Sequence, residues 1–249
     1  MITCITCILY LFFNFIIPHV QTKDGLSVLG YHGVVSDQDK EKYYKDDMYT
    51  LSESQFERHI QYFYENDYVV YTMQDVEEYM NGKIEVDEKS VVLTFDDGYM
   101  NFNEVVKPIL VKYGYHGTCF VIGKHVEDDI EKFLKEEDLK EDAFVDYYSH
   151  TYDLHRKSKK GFDRKVIQDL SFEEIDFDFK KNCVNHTYLA FPYGRSIEGI
   201  EEVLEKNQVH LAFSYNQFRH VTQQDDHYYL PRYMVVDWMP DWYIHWITE

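Results

Sequence analysis

Residues 89–101 read KSVVLTFDDGYMN. Val91, Val92 and Leu93 form an apolar run that Thr94 and Phe95 extend, the composition of a buried strand. Asp96 and Asp97 follow at once, then Gly98. Asp-Gly is a common strand terminator, so a plain turn is one reading. Two adjacent carboxylates at the end of a buried strand also repel each other, and desolvating them is costly unless something pairs them. The second reading is therefore a charged site at a strand end.

The flanking sequence sets the fold class. Residues 27–36 read as a first strand. SESQFERHIQYFYEN (52–66) reads as an amphipathic helix, capped by Ser52 or Ser54, with Phe56, Ile60 and Phe63 on one face. Strands are expected at 68–73, 90–95, 116–123, 187–194, 209–215 and 228–236. Helices are expected at 73–82, ending at Gly82, at 103–114, closed by Gly114, and at 171–182 and 196–207. Strands alternate with helices, which predicts an α/β fold with a parallel sheet or barrel. The acidic, Lys-rich stretch 124–146 reads as a solvated surface helix, and the basic RKSKKGFDRK (156–165) as a mobile segment. There are no internal repeats and no linker, so the 249 residues are expected to form a single domain.

Composition narrows the partners. With 45 Asp and Glu against 25 Lys and Arg the net charge is −20. Nucleic acid is not expected as a partner, because phosphate binding needs cations. An acidic surface either steers a cationic polymer or only keeps the chain solvated. Aromatics make up 17%, which suits a carbohydrate site and an ordinary core equally well. The first residues, MITCITCILYLFFNFIIPHV, are apolar through Ile17, with no Lys or Arg before Lys23. Residues 1–21 read as a signal peptide or a membrane anchor, making the protein secreted or cell-surface associated and leaving a domain over 27–249. Cys4 and Cys7 fall in this run and lack the partners of a zinc site. Cys119 reads as a small core residue, and whether it pairs with Cys183 is open.

His150 and His155 frame HTYDLH. A spacing of five fits a loop rather than one helical face. Two neutral imidazoles and one carboxylate make a three-ligand site with open positions, the arrangement of a catalytic divalent metal. The adjacent carboxylates then have separate tasks. Asp97 joins the metal ligands and Asp96 stays free as a base toward water. The cation offsets their repulsion, and Gly98 lets the chain bend at the strand end.

TFDDGY, SHTYDLH and FPYG, in this order, resemble the motifs of the polysaccharide deacetylase family (NodB-homology domain, carbohydrate esterase family 4). The resemblance spans roughly residues 27–236. SHTYDLH is most similar to the branch acting on poly-β-1,6-N-acetylglucosamine, the intercellular adhesin of biofilms. The resemblance implies a distorted (β/α) barrel with its site at the strand C-terminal ends. It also implies Asp96 as catalytic base and Asp97, His150 and His155 as metal ligands. FPYG matches a groove-wall motif, with Pro192 and Tyr193 against the substrate and the Tyr193 N–H at the oxyanion. The implied reaction is removal of N-acetyl groups, as acetate, from an acetylated polysaccharide by a monomer. Zn²⁺ is the expected metal, with Co²⁺, Ni²⁺ or Fe²⁺ also suited to the ligands.

The sequence departs from the family in two places. Ala190 stands where many members carry an Arg that orients the catalytic Asp. Arg232 is a candidate substitute, or else a surface strand-edge residue. No Leu-x-His supplies a catalytic acid, and His245 lies close to the terminus. His32 is a candidate for the cleft or the core. Trp238 and Trp242 are candidates for stacking on sugars or for packing. Chitin, peptidoglycan or acetylxylan remain alternative substrates, and a non-catalytic glycan-binding module is the alternative class.

Overall fold

The strand that runs into Asp96 lies in the interior of a parallel sheet. The computed structural model describes residues 24–249. The expected signal peptide or anchor, with Cys4 and Cys7, lies outside the described residues. In chain order the strands are β1 (Ser27–Tyr31), β2 (Gly33–Val35), β3 (Thr50–Ser52), β4 (Val69–Val70), β5 (Ser90–Phe95), β6 (Gly117–Val121), β7 (Val145–Ser149), β8 (Tyr188–Ala190), β9 (Leu211–Phe213) and β10 (Tyr233–Met234). Every residue of β5 is buried. On one side β5 pairs with β1, from Ser27 opposite Val91 to Tyr31 opposite Phe95. Its other edge takes β4 at the start and β6 at the end. The sheet continues in parallel through β7 and β8 to β9. At the opposite edge β10 lies on β1.

The two edges are joined by one short piece of chain. Leu230 bridges Phe213 of β9, and three residues later Tyr233 pairs with Leu29 of β1. The sheet therefore curls into a distorted (β/α) barrel, as expected. All these strands are parallel, so their C-terminal ends open on one face.

The helices follow from their caps and apolar faces. Ser52 Oγ accepts from the Gln55 N–H and starts the helix Glu53–Glu65, which buries Phe56, Ile60 and Phe63. Ser54 instead donates to Asp37. A capping box between Thr72 and Asp75 starts Met73–Met80. Gly114, at φ 73°, closes Lys107–Tyr113. The expected helix at 103–114 begins as a π-helical turn, Phe102–Val106. Pro108 has no N–H for the regular ladder there, and the wider turn accommodates that gap.

Three expectations change. The first strand breaks at His32, and its second half, β2, pairs with β3 outside the main sheet. The stretch 124–146 is not one solvated helix. A short helix Gly123–Glu127 gives way to turns that bury Phe133 and Leu134. The Leu134 N–H donates to the Gly98 carbonyl at 2.8 Å, and Phe133 stacks on Tyr99 at 4.9 Å. This acidic stretch thus supports the loop after β5. The C-terminal helix Asp241–Thr248, which buries Ile244 and Ile247, is an addition to the expected elements, because its aromatic-rich run lacks a clear polar face. Cys119 is buried, Cys183 exposed, and both are free thiols.

Phe63 is fully buried against Tyr62 and Tyr68, away from the strand ends. Phe63→Ala should destabilise the fold by about 3–5 kcal/mol. Denaturant unfolding should show the lowered midpoint.

Candidate active site

The chain turns sharply where β5 ends. The Asp96 N–H still donates to the Tyr31 carbonyl at 2.9 Å, extending the strand ladder by one residue. Asp97 and Gly98 then adopt φ of 74° and 76°. A Cβ at Gly98 would lie 2.8 Å from Val121 Cγ1, so the close approach to β6 requires glycine. Asp97 is not glycine, and holding it in the left-handed region costs about 1–3 kcal/mol. This turn sends the two carboxylates in different directions.

Asp97 faces the two imidazoles. Its Oδ1 lies 3.6 Å from His150 Nε2 and 3.4 Å from His155 Nε2. The three groups each offer one ligand atom within 4.8 Å of the others. His150 is buried, and its Nδ1 donates to the Ala190 carbonyl at 2.8 Å. That bond fixes the tautomer and turns the Nε2 lone pair toward Asp97. Burial pushes the His150 pKa down, to about 4, so the ring is neutral at physiological pH. Asp97 Oδ1 is buried yet has no hydrogen-bond partner. A bare carboxylate oxygen facing two imidazole nitrogens is the donor set of a divalent cation, and these residues fit one.

The loop carrying the imidazoles is tied down by a carboxylate that carries no signal in the sequence. Asp178 accepts from the backbone N–H groups of Tyr152 and Asp153 at 2.9 and 2.8 Å. The Ser149 hydroxyl takes the Thr151 N–H. His155 stacks on Tyr193 with ring centres 4.3 Å apart.

Asp96 points into the barrel. Arg232 grips it with two bonds of 2.8 Å, one to each oxygen. The same guanidinium donates to Thr94 Oγ1 at 3.0 Å and to the Ser214 carbonyl at 3.3 Å. Tyr215 donates its hydroxyl to Asp96 Oδ2 at 2.6 Å, and its ring centre lies 4.5 Å from the guanidinium. Burial alone would raise the Asp96 carboxyl. The charge of Arg232 and its hydrogen bonds outweigh it and hold the group well below the usual carboxylate range. Arg232 is fully buried, which overturns the strand-edge alternative. It sits on the segment that closes the barrel, and its side chain turns inward.

At these groups lies a cleft of about 490 Å³, whose lining includes Tyr49, Tyr99 and Met234 together with Lys157, Lys165 and Arg195. A sequence profile of the family described as polysaccharide deacetylase matches residues 83–212. That stretch holds both motifs that converge here. The chain belongs to the polysaccharide deacetylase family. A Staphylococcus aureus protein named poly-β-1,6-N-acetyl-D-glucosamine N-deacetylase is 30% identical over 204 residues, covering 76% of this chain and 69% of that one. The Staphylococcus epidermidis protein of the same name is 25% identical over 199 residues, covering 75% and 68%. The solved structure of IcaB from Ammonifex degensii superposes with a TM-score of 0.73 at 24% identity, covering 91% of this chain and 98% of that one. A de-N-acetylase from Aggregatibacter actinomycetemcomitans superposes with 0.72 at 21% identity, covering 89% and 99%. These two share the fold.

As a polysaccharide deacetylase, the protein is a hydrolase, and its remaining candidate residues fall into two groups. His32, at the break between β1 and β2, lines the cleft, and its buried Nδ1 has no hydrogen-bond partner. It lies between the rings of Tyr49 and Tyr215, at 5.1 and 6.4 Å. Tyr193 also lines the cleft, whereas Pro192 is buried behind it. Trp238 does not line the cleft. It follows β10 on the outside of the barrel, is 67% exposed, and borders an apolar groove with Trp242 and Trp246. His245 stacks on Tyr62 at 3.5 Å, on the C-terminal helix. Tyr215 is a site residue that sequence reasoning missed. Its only sequence signal is indirect: Gly30 and Gly194 both stand where a Cβ would come within 2.7 Å of it.

Arg232→Met leaves the Asp96 charge buried without its counter-ion and should destabilise by about 3–5 kcal/mol. Adding Asp96→Asn removes that bare charge. The double variant should recover most of the loss in chemical denaturation, a coupling that independent sites would not show.

Proposed function

We propose that this deacetylase hydrolyses the acetamide of a β-linked N-acetylglucosamine polymer, poly-β-1,6-N-acetylglucosamine first among them, and releases acetate. One observation carries the reading: the Asp97, His150 and His155 cluster lies directly beside an independently held carboxylate, Asp96, in an open cleft. The names of the staphylococcal relatives support the substrate. The apolar N-terminal run and a polymeric substrate agree with an enzyme acting outside the cytoplasm.

Asp97, His150 and His155 would hold the cation, and two imidazoles with one carboxylate suit Zn²⁺, with Co²⁺, Ni²⁺ and Fe²⁺ also accommodated. When bound, it supplies Lewis acidity toward water and the acetyl oxygen. The protein's own groups do the rest. Asp96 is kept anionic and fixed in orientation by Arg232 and Tyr215, and it accepts the proton of the attacking water. The Tyr193 N–H donates to the acetyl oxygen as negative charge builds there. The carbon–nitrogen bond then breaks, and the departing amine needs a proton. His32, which lines the cleft, supplies it in place of the missing Leu-x-His. Acetate and a glucosamine unit are the products.

The chain loaded with Zn²⁺, Co²⁺ or Ni²⁺ should release free amine from β-1,6-linked oligomers. A chelator should abolish the release. Asp96→Asn and His32→Gln should each lower kcat by about 10²–10⁴-fold. Turnover of chitin or acetylxylan oligomers alone would move the substrate within the family. No product from any acetylated glycan, with metal bound, would overturn the catalytic reading in favour of a binding module. In a separate measurement, Zn²⁺ at 100 times its Kd should stabilise the fold by about 2.7 kcal/mol, and His155→Ala should remove that gain.

A further inference from the structure

We infer that the hairpin at 156–166 is an anion-recognition wall, selecting acetylated glycans that carry a carboxylate or phosphate substituent close to the reacting sugar. This rests on the reading of the cleft as a glycan site and narrows its substrate class.

The first observation is where the positive charge lies. Six of the chain's 25 Lys and Arg fall within residues 156–165, in a protein of net charge −20. The segment folds back on itself. The Ser158 N–H donates to the Arg164 carbonyl, the Val166 N–H to the Arg156 carbonyl, and Lys157 and Lys165 form an antiparallel bridge. Directly opposed residues project to the same face, and like charges so placed destabilise a strand pair. Both lysines line the cleft.

The second observation is how the local carboxylates are used. Arg156 pairs with Asp153, while Arg164 and Lys160 pair with Asp169, and these residues lie outside the cleft lining. Within the cleft, Asp163 alone serves two cations, Lys165 at 3.5 Å and Arg195 at 3.3 Å. Lys157 has no carboxylate within 4 Å among the described residues. Asp47, which also lines the cleft, is already engaged by the Tyr49 N–H and the Thr50 hydroxyl. The wall therefore carries three cations against one anion.

The third observation is the distance to the reaction. Lys165 Nζ lies 4.5 Å from the centre of the Tyr193 ring, and that ring stacks on His155 at 4.3 Å. A sugar whose acetamide reaches His155 thus brings its own substituents, or those of its neighbour, against Lys165 and Lys157. A neutral polymer can offer only hydroxyl and carbonyl oxygens there, without a compensating charge. A carboxylate or a phosphate ester supplies that charge.

Calorimetric binding to the full chain tests this with three forms of one N-acetylglucosamine oligomer: neutral, carboxylated and phosphorylated. At least one anionic form should bind about tenfold tighter than the neutral form, and the tighter of the two identifies the substituent. The preference should shrink as salt rises, and should vanish in Lys157→Gln combined with Lys165→Gln. Equal binding of all three forms overturns the proposal. So does a preference that survives the double substitution, or binding of the hairpin to anionic phospholipid vesicles without any discrimination among oligomers. Amine release is scored separately. Preferential binding without turnover would retain the anion wall and remove the deacetylase reading.

Discussion

Asp96 is a charge inside a barrel, and Arg232 is what allows it to stay there. A lone carboxylate in that position would take up a proton or unfold its surroundings. The bidentate guanidinium, the Tyr215 hydroxyl and the strand-end geometry satisfy it on the inner side and leave its other edge toward the cleft. Much of the architecture serves this contact. β5 delivers Asp96, β1 provides the register, and the segment from Leu230 to Met234 closes the sheet and carries Arg232 inward. Closure of the barrel and compensation of the charge are one event.

The neighbouring carboxylate has a different constraint. Asp97 sits in a left-handed turn with an unpartnered oxygen, facing two imidazoles, one aimed by a backbone carbonyl and the other stacked on the Tyr193 ring. His150 is aimed by the carbonyl of Ala190, the position at which the family resemblance leads to the expectation of an arginine. In this chain the guanidinium on the carboxylate comes from Arg232 at the last strand.

How much of this is legible in the sequence depends on where the information resides. Adjacent carboxylates after a strand, and two histidines five apart, are chemical signals carried by residue identity, so Asp96, Asp97, His150 and His155 stand out from the sequence alone. The α/β class is equally legible from the alternation of apolar runs. Arg232 is visible as a candidate, but sequence does not say to which side of a strand edge a side chain turns. Tyr215 and Asp178 are not legible, because a tyrosine ending a strand and an aspartate in an acidic helix look like many others. Their roles exist only through contacts with residues far along the chain. The stretch 124–146 misleads for a related reason. Its charges advertise solvent, while two residues, Phe133 and Leu134, decide its path.

The late arrival of Arg232 has a consequence for how the protein comes into being. The guanidinium lies 136 residues downstream of the carboxylate it neutralises. During vectorial synthesis the DD turn and both histidines emerge well before it. Pairing of such distant strands is slow, because a long loop must close before any contact rewards it. Until the last strand docks, Asp96 has no counter-ion and no fixed direction. A partly made chain can thus gather the donors of a metal site without possessing an aligned base. On the proposed role of Asp96 as the base, hydrolytic competence and completion of the fold would coincide, and the enzyme would stay silent until its barrel is shut.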